Sequence, residues 1–108
     1  MTLSRLFVYG TLQEDTVVQE VLGRRMRRRP ATLRGYRRSF DAALGYPVIR
    51  PDPAAVVRGS VLEEIDDRAL ALLDAYEGRD YARVVVEVDL LGDAACPAYV
   101  YVPAPAPR

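Results

Sequence analysis

Leu6-Phe7-Val8-Tyr9-Gly10-Thr11-Leu12 is the stretch from which the architecture unfolds. Four apolar residues, β-branched and aromatic among them, run without a break into a glycine, the pattern of a short buried strand. Gly10-Thr11-Leu12 then turns the chain. From Glu14 to Leu22 the apolar residues Val17, Val18, Val21 and Leu22 fall on one helical face, with acids in the first turn and Gly23 as a stop. The N-terminal unit is therefore strand, glycine turn, helix N-terminus.

Outward from this unit the chain reads as strands broken by turns. Ala31 to Arg34 and Tyr36 to Phe40 flank Gly35. Gly45-Tyr46-Pro47 turns into Val48-Ile49, and Pro51-Asp52-Pro53 is a second break. Val56 to Leu62 is a strand in which Gly59 marks a bulge or a close backbone approach. Asp66 to Tyr76 is a helix, capped by Asp66 or Asp67, with Ala69, Leu70, Leu73 and Tyr76 on one stripe and Gly78 at its end. From Arg83 to Leu90 the residues alternate, Val84, Val86, Val88 and Leu90 pointing one way. Gly92-Asp93 turns into a last strand, Ala98 to Val102, with Tyr99 and Tyr101 on one face. The expectation is one α+β domain over residues 1–102, a small mixed β-barrel with two short helices, followed by a Pro/Ala-rich tail over residues 103–108. A chain of 108 residues buries somewhat under about 70% of its extended surface, which suffices for one core.

The composition excludes much chemistry. There is no His, Lys, Trp or Asn, so all 15 basic residues are Arg. Without His there is no Ser-His or Cys-His pair and no imidazole metal ligand. Without Lys there is no Schiff base and no P-loop lysine. Cys96 is the only cysteine; it allows no internal disulfide and no thiolate zinc cluster, and it reads as an inert thiol. No metal or cofactor is expected, and acid–base work falls to carboxylates or Tyr. No secretory signal or membrane span is apparent, so a cytoplasmic protein that does not bind membranes is expected. The net charge of 0 hides an asymmetry: residues 1–50 balance at +6 and residues 51–108 at −6. Arg24-Arg25-Met26-Arg27-Arg28-Arg29 has the look of a nucleic-acid patch, but only Tyr36 lies near it, and single-strand binders interleave several aromatics. A solvated loop and strand face accounts for it, and no nucleic acid is expected as a partner.

Two places can carry chemistry. At Tyr9-Gly10-Thr11-Leu12 the unpaired N–H groups of a helix N-terminus favour an anion, a carboxylate or a phosphate; an ordinary strand-to-helix turn accounts for the same residues. In Leu73-Asp74-Ala75-Tyr76-Glu77-Gly78, Glu77 lies seven residues after Leu70 and four after Leu73, on the apolar face at the last turn. Burial and the negative end of the helix dipole both push its pKa upward, which suits a general base near neutral pH. The alternative is a terminal Glu that swings into solvent or pairs with Arg79 or Arg83. Tyr36, Tyr46, Tyr76, Tyr81, Tyr99 and Tyr101 are candidate wall residues, Tyr81 foremost because it follows Glu77 closely. Arg83 could hold Glu77 or a substrate carboxylate, or point outward from its strand. Ser60 has no base beside it and reads as structural.

Taken in order, Phe7 to Leu12, Gly45-Tyr46-Pro47 with Pro51, Val57-Arg58-Gly59-Ser60-Val61 and Leu73 to Gly78 with Tyr81 and Arg83 resemble the gamma-glutamylcyclotransferase-like family, over about residues 5 to 102. The first and last elements are specific as a pair. The resemblance implies a small α+β barrel with a pocket at one end. It implies release of 5-oxoproline and a free amine from a gamma-glutamyl amine or peptide, without cofactor. It places the general acid/base at Glu77 and the glutamyl-binding loop at Tyr9, Gly10, Thr11 and Leu12, and Tyr81 and Arg83 join the expected substrate-binding residues. The loop amides would hold the α-carboxylate or the developing oxyanion. A small-molecule gamma-glutamyl compound is the expected partner, and monomer and homodimer are both compatible with the sequence. A binding module without catalysis, on the same fold, is the competing reading.

Overall fold

The computed structural model describes residues 3–92 and 94–105. Strand β1 (Ser4–Val8) explains the unbroken apolar run. Alternation sends Leu6 and Val8 into one core cluster and Phe7 and Tyr9 into another, so β1 is buried on both faces. The second cluster draws residues from every strand and fills the barrel. The first gathers Val18, Ala69, Leu70 and Leu73 from the helices against the outer face of the wall.

After β1 come a 3-10 turn (Thr11–Gln13), α1 (Asp15–Leu22), β2 (Arg28–Asp41) and β3 (Tyr46–Ile65). Helix α2 (Asp67–Glu77), a second 3-10 turn (Gly78–Asp80), β4 (Tyr81–Leu90) and β5 (Ala95–Pro103) complete the chain. The strands close a barrel in the order β1-β3-β2-β4-β5. Closure comes from a parallel pairing of β1 with β5 at Leu6 and Tyr99, the other pairings being antiparallel. This is the mixed barrel with two helices that the sequence led us to expect.

The strands are longer than their local punctuation suggested. The Pro51-Asp52-Pro53 break lies inside β3: the register jumps from Arg34↔Val56 to Tyr36↔Pro51, leaving Asp52 to Ala55 as a bulge. Asp52 Oδ1 closes that bulge by accepting the N–H of Ala54 at 3.0 Å. The Gly45-Tyr46-Pro47 turn is likewise shifted. The reversal occupies residues 42–45, and Tyr46 and Pro47 are already in the strand. Asp41 Oδ1 organises it by accepting from the N–H groups of Ala43 and Leu44. Asp93 and residues 106–108 lie outside the described residues, and strand pairing runs to Pro103, opposite Tyr81.

Gly59 is the close approach that its place in a strand implied. A Cβ there would stand 2.3 Å from the Val8 carbonyl oxygen and 3.0 Å from Phe7 Cζ. The arginine run is largely tied down: Arg24 pairs with Asp66, Arg28 with Asp15 and Arg29 with Glu63, while Met26 is buried in the helix-side core. Among the described residues no helix is long and apolar enough to cross a membrane.

Candidate active site

The strand-turn-helix unit and the end of α2 meet at one end of the barrel. Asp66 caps α2 by accepting the Ala69 N–H at 2.8 Å, and Ala69, Leu70 and Leu73 anchor its inner face. The same spacing brings Glu77 inward at the last turn. Gly78 then takes φ 73°, ψ −169°, a conformation costly for any residue with a Cβ, and reverses the chain so that Tyr81 returns on β4. Tyr76 departs from the expected stripe. It is 46% exposed and sits at the rim, its hydroxyl 3.1 Å from Thr11 Oγ1.

Between these elements lies a cavity of about 160 Å³. Phe7 to Leu12 line one side, Tyr76 and Glu77 another, and Tyr46, Pro47, Tyr81 and Tyr101 complete the wall. Glu77 and the Gly10–Leu12 turn thus share one pocket, as anticipated. The N–H groups of Thr11 and Leu12 open a 3-10 turn and have no partner within it. Gly10 leaves ordinary room, since a Cβ there would be 3.7 Å from Pro47 Cγ.

Burial pushes the Glu77 carboxyl up to about 7. Among the described residues no hydrogen bond or ion pair reaches that carboxylate. The groups whose charge it perturbs are the phenols of Tyr9, Tyr81 and Tyr101. Burial raises all three, and the carboxylate adds to that rise. The Tyr9 O–H donates to the Tyr101 carbonyl at 2.7 Å.

Arg83 stands apart from the other residues named from the sequence. It does not line the pocket. Its Nε donates to Asp74 Oδ1 at 2.9 Å and its Nη2 to Asp74 Oδ2 at 3.2 Å, with the guanidinium 4.4 Å from the Tyr99 ring centroid. Tyr101 adds an O–H bond to Asp74 Oδ1 at 2.6 Å. Burial pushes the Asp74 carboxyl up, but the bonds from Arg83 and Tyr101 outweigh it and hold the group below the usual carboxylate range. Of the six tyrosines considered for the wall, Tyr46, Tyr76, Tyr81 and Tyr101 line it; Tyr36 and Tyr99 do not. Pro47 was quoted only as part of a turn, and its place in the wall was missed because it depends on the length of the β2–β3 hairpin.

The family described as "Gamma-glutamyl cyclotransferase, AIG2-like" matches residues 6–108. AIG2-like protein C of Arabidopsis thaliana is 44% identical over 85 residues, covering 79% of this chain and 49% of that protein. The chain thus spans about half the length of the curated relatives it matches. A solution structure from Arabidopsis thaliana superposes with a TM-score of 0.87 at 34% identity, over 95% of this chain and 63% of that one. The fold is shared with a chain described as a gamma-glutamyl cyclotransferase, at a TM-score of 0.83 and 17% identity, over 95% of this chain and 68% of that one. With the family match running over residues 6–108 and the barrel shared, the chain belongs to the gamma-glutamyl cyclotransferase, AIG2-like family.

Proposed function

We propose that the pocket cyclises a gamma-glutamyl amine or peptide, releasing 5-oxoproline and the free amine. The observation that carries this reading is Glu77: a carboxylate without an ionic partner among the described residues, raised to about 7 by burial, lining the same cavity as the head of the Gly10–Leu12 turn. A cavity of about 160 Å³ suits a glutamyl group; apolar cavities of roughly 150 Å³ hold a ligand the size of benzene. The amine portion then projects past the half-exposed rings of Tyr46 and Tyr76 at the mouth.

The substrate supplies its own nucleophile. Glu77 takes a proton from the α-ammonium, and the amine attacks the γ-carbonyl carbon. The carbonyl re-forms as the C–N bond to the leaving group breaks, and Glu77 returns the proton to the departing nitrogen. A second proton follows the same path through Glu77 after ring closure, so two leave the α-ammonium and two reach the amine, which departs as an ammonium. Ring closure is intramolecular, so holding the chain in a near-attack shape supplies much of the acceleration, up to roughly 7–11 kcal/mol in well-oriented systems. In this reading the Thr11 and Leu12 amides hold an anionic oxygen of the substrate, and Tyr9 and Tyr81 flank its methylenes.

The test is a panel of gamma-glutamyl amines and peptides assayed for 5-oxoproline, with Glu77→Gln beside the wild type. Loss of general-base catalysis is expected to lower turnover at least about a hundred-fold, with ligand binding retained. A folded Glu77→Gln protein with near wild-type turnover overturns the assignment. A wild type inactive on the whole panel favours a binding module.

A further inference from the structure

Two carboxylates, Asp74 and Glu77, stand near the end of α2, and among the described residues only Asp74 is paired with an arginine. Asp74 and Glu77 are three residues apart, neighbours on the helix surface with Cβ atoms roughly 5–6 Å apart. Alternation along β4 puts Tyr81 and Arg83 on the same face, and Tyr81 lines the pocket with Glu77. Arg83 therefore arrives at the last turns of α2, at the carboxylate one helical turn before Glu77. It goes to Asp74, at two points, with the Tyr99 ring behind the guanidinium. Tyr101 secures the same Asp74 oxygen at 2.6 Å, so Asp74 is held from two strands at once.

We propose that Asp74 is a positioning residue: by clamping the Arg83 guanidinium, it keeps that cation off Glu77 and leaves the Glu77 carboxylate free to carry protons. The idea rests on Glu77 being the acid/base of the reaction proposed above. The other groups around Glu77 do not neutralise it. Tyr9 on β1, Tyr46 on β3, Tyr81 on β4, Tyr101 on β5 and Tyr76 on α2 line the pocket as phenols. Arg38 on β2 acts electrostatically on Tyr9, while Asp41 and Asp80 act on Tyr81. Arg79 follows two residues after Glu77 and is exposed on its 3-10 turn.

Asp74→Asn, Arg83→Met and the double variant test this. Two readouts are needed: the acidic limb of kcat/KM for 5-oxoproline release, and the carbon-13 NMR titration of the Glu77 carboxyl, identified by its absence in Glu77→Gln. In Asp74→Asn the released guanidinium pairs with Glu77, and both limb and titration fall by about one pH unit or more. In Arg83→Met the unpaired Asp74 charge faces Glu77, and both rise. In the double variant neither charge remains, and both return to the wild-type position. A purely structural network lowers the melting temperature of all three variants and leaves the Glu77 titration in place, which overturns the proposal. So does a double variant that stays displaced. Should Asp74→Asn fail to fold, Asp74→Ser carries the same test, since it too releases the guanidinium, and only the proposal demands a downward move there. Titrations that move as stated in a protein that turns over no gamma-glutamyl compound sink the reaction and keep the role of Asp74. Unmoved titrations with intact turnover do the opposite.

Discussion

At Glu77 the pH dependence of stability has a definite sign. The folded pKa is raised by burial from 4.5 to about 7, so between those values the folded chain holds a proton that the unfolded chain has released. The contribution of this group is fully present below about 4.5 and is lost as pH rises through about 7. Glu77→Gln cannot ionise and escapes that loss. Thermal melts of both proteins from pH 4 to 8 should therefore diverge in favour of the variant, by on the order of 2 kcal/mol at the top after discounting for partial solvent screening. A constant difference across that range would place the carboxyl in solvent. Glu77 was legible in the sequence because its inward aim is set by spacing within one helix, from Leu70 and Leu73. The partner of Arg83 was not. Its strand face could be read, but Asp74 and Glu77 lie within one turn of each other. Which of them receives the guanidinium depends on how β4 and β5 pass α2, a relation between elements distant in sequence.

At the scale of the elements, the contact of β1 with β3 is the tightest constraint. Gly59→Ala would drive a Cβ to 2.3 Å from the Val8 carbonyl oxygen, and neither partner can give way. Val8 is backbone in a strand buried on both faces, and Phe7, the next neighbour, is 1% exposed. The expected cost is about 3 kcal/mol, and a thermal melt should show a fall of roughly 15 °C for a domain of this size. A variant that melts with the wild type would mean that β1 can slide. The helices and this glycine were readable because caps, stripes and close approaches are local signals: Asp66 and Gly78 bound α2 much as their chemistry implies. The long strands were not, because Gly35 and Pro51 to Pro53 are turn formers in isolation. Here the ladder resumes beyond them, since Val48 and Ile49 on one side and Val57 on the other are buried in the finished barrel. Tertiary burial overrode local punctuation.

For the molecule as a whole, the barrel is unevenly sewn. Among the described residues β2 pairs with β4 at Ala31↔Leu90 and Thr32↔Asp89, so beyond Gly35 the β2–β3 hairpin is paired chiefly with itself. Hydrogen exchange should follow this pattern. Amides of residues 37–41, Tyr46 and 48–50 are expected to exchange faster than those of Leu6 to Val8 or Val61-Leu62, which sit between two cores. Uniform protection across all strands would contradict it. Because the arm carries Tyr46 and Pro47, its opening would widen the mouth of the pocket. The wall itself has an optical consequence. The chain has no tryptophan, and five of its seven tyrosines, Tyr9, Tyr46, Tyr76, Tyr81 and Tyr101, line the cavity. Five of the seven emitting rings therefore stand at the site, with no indole to drain them by energy transfer. A molecule entering the cavity would announce itself as a change in that glow, with no dye attached and no residue replaced.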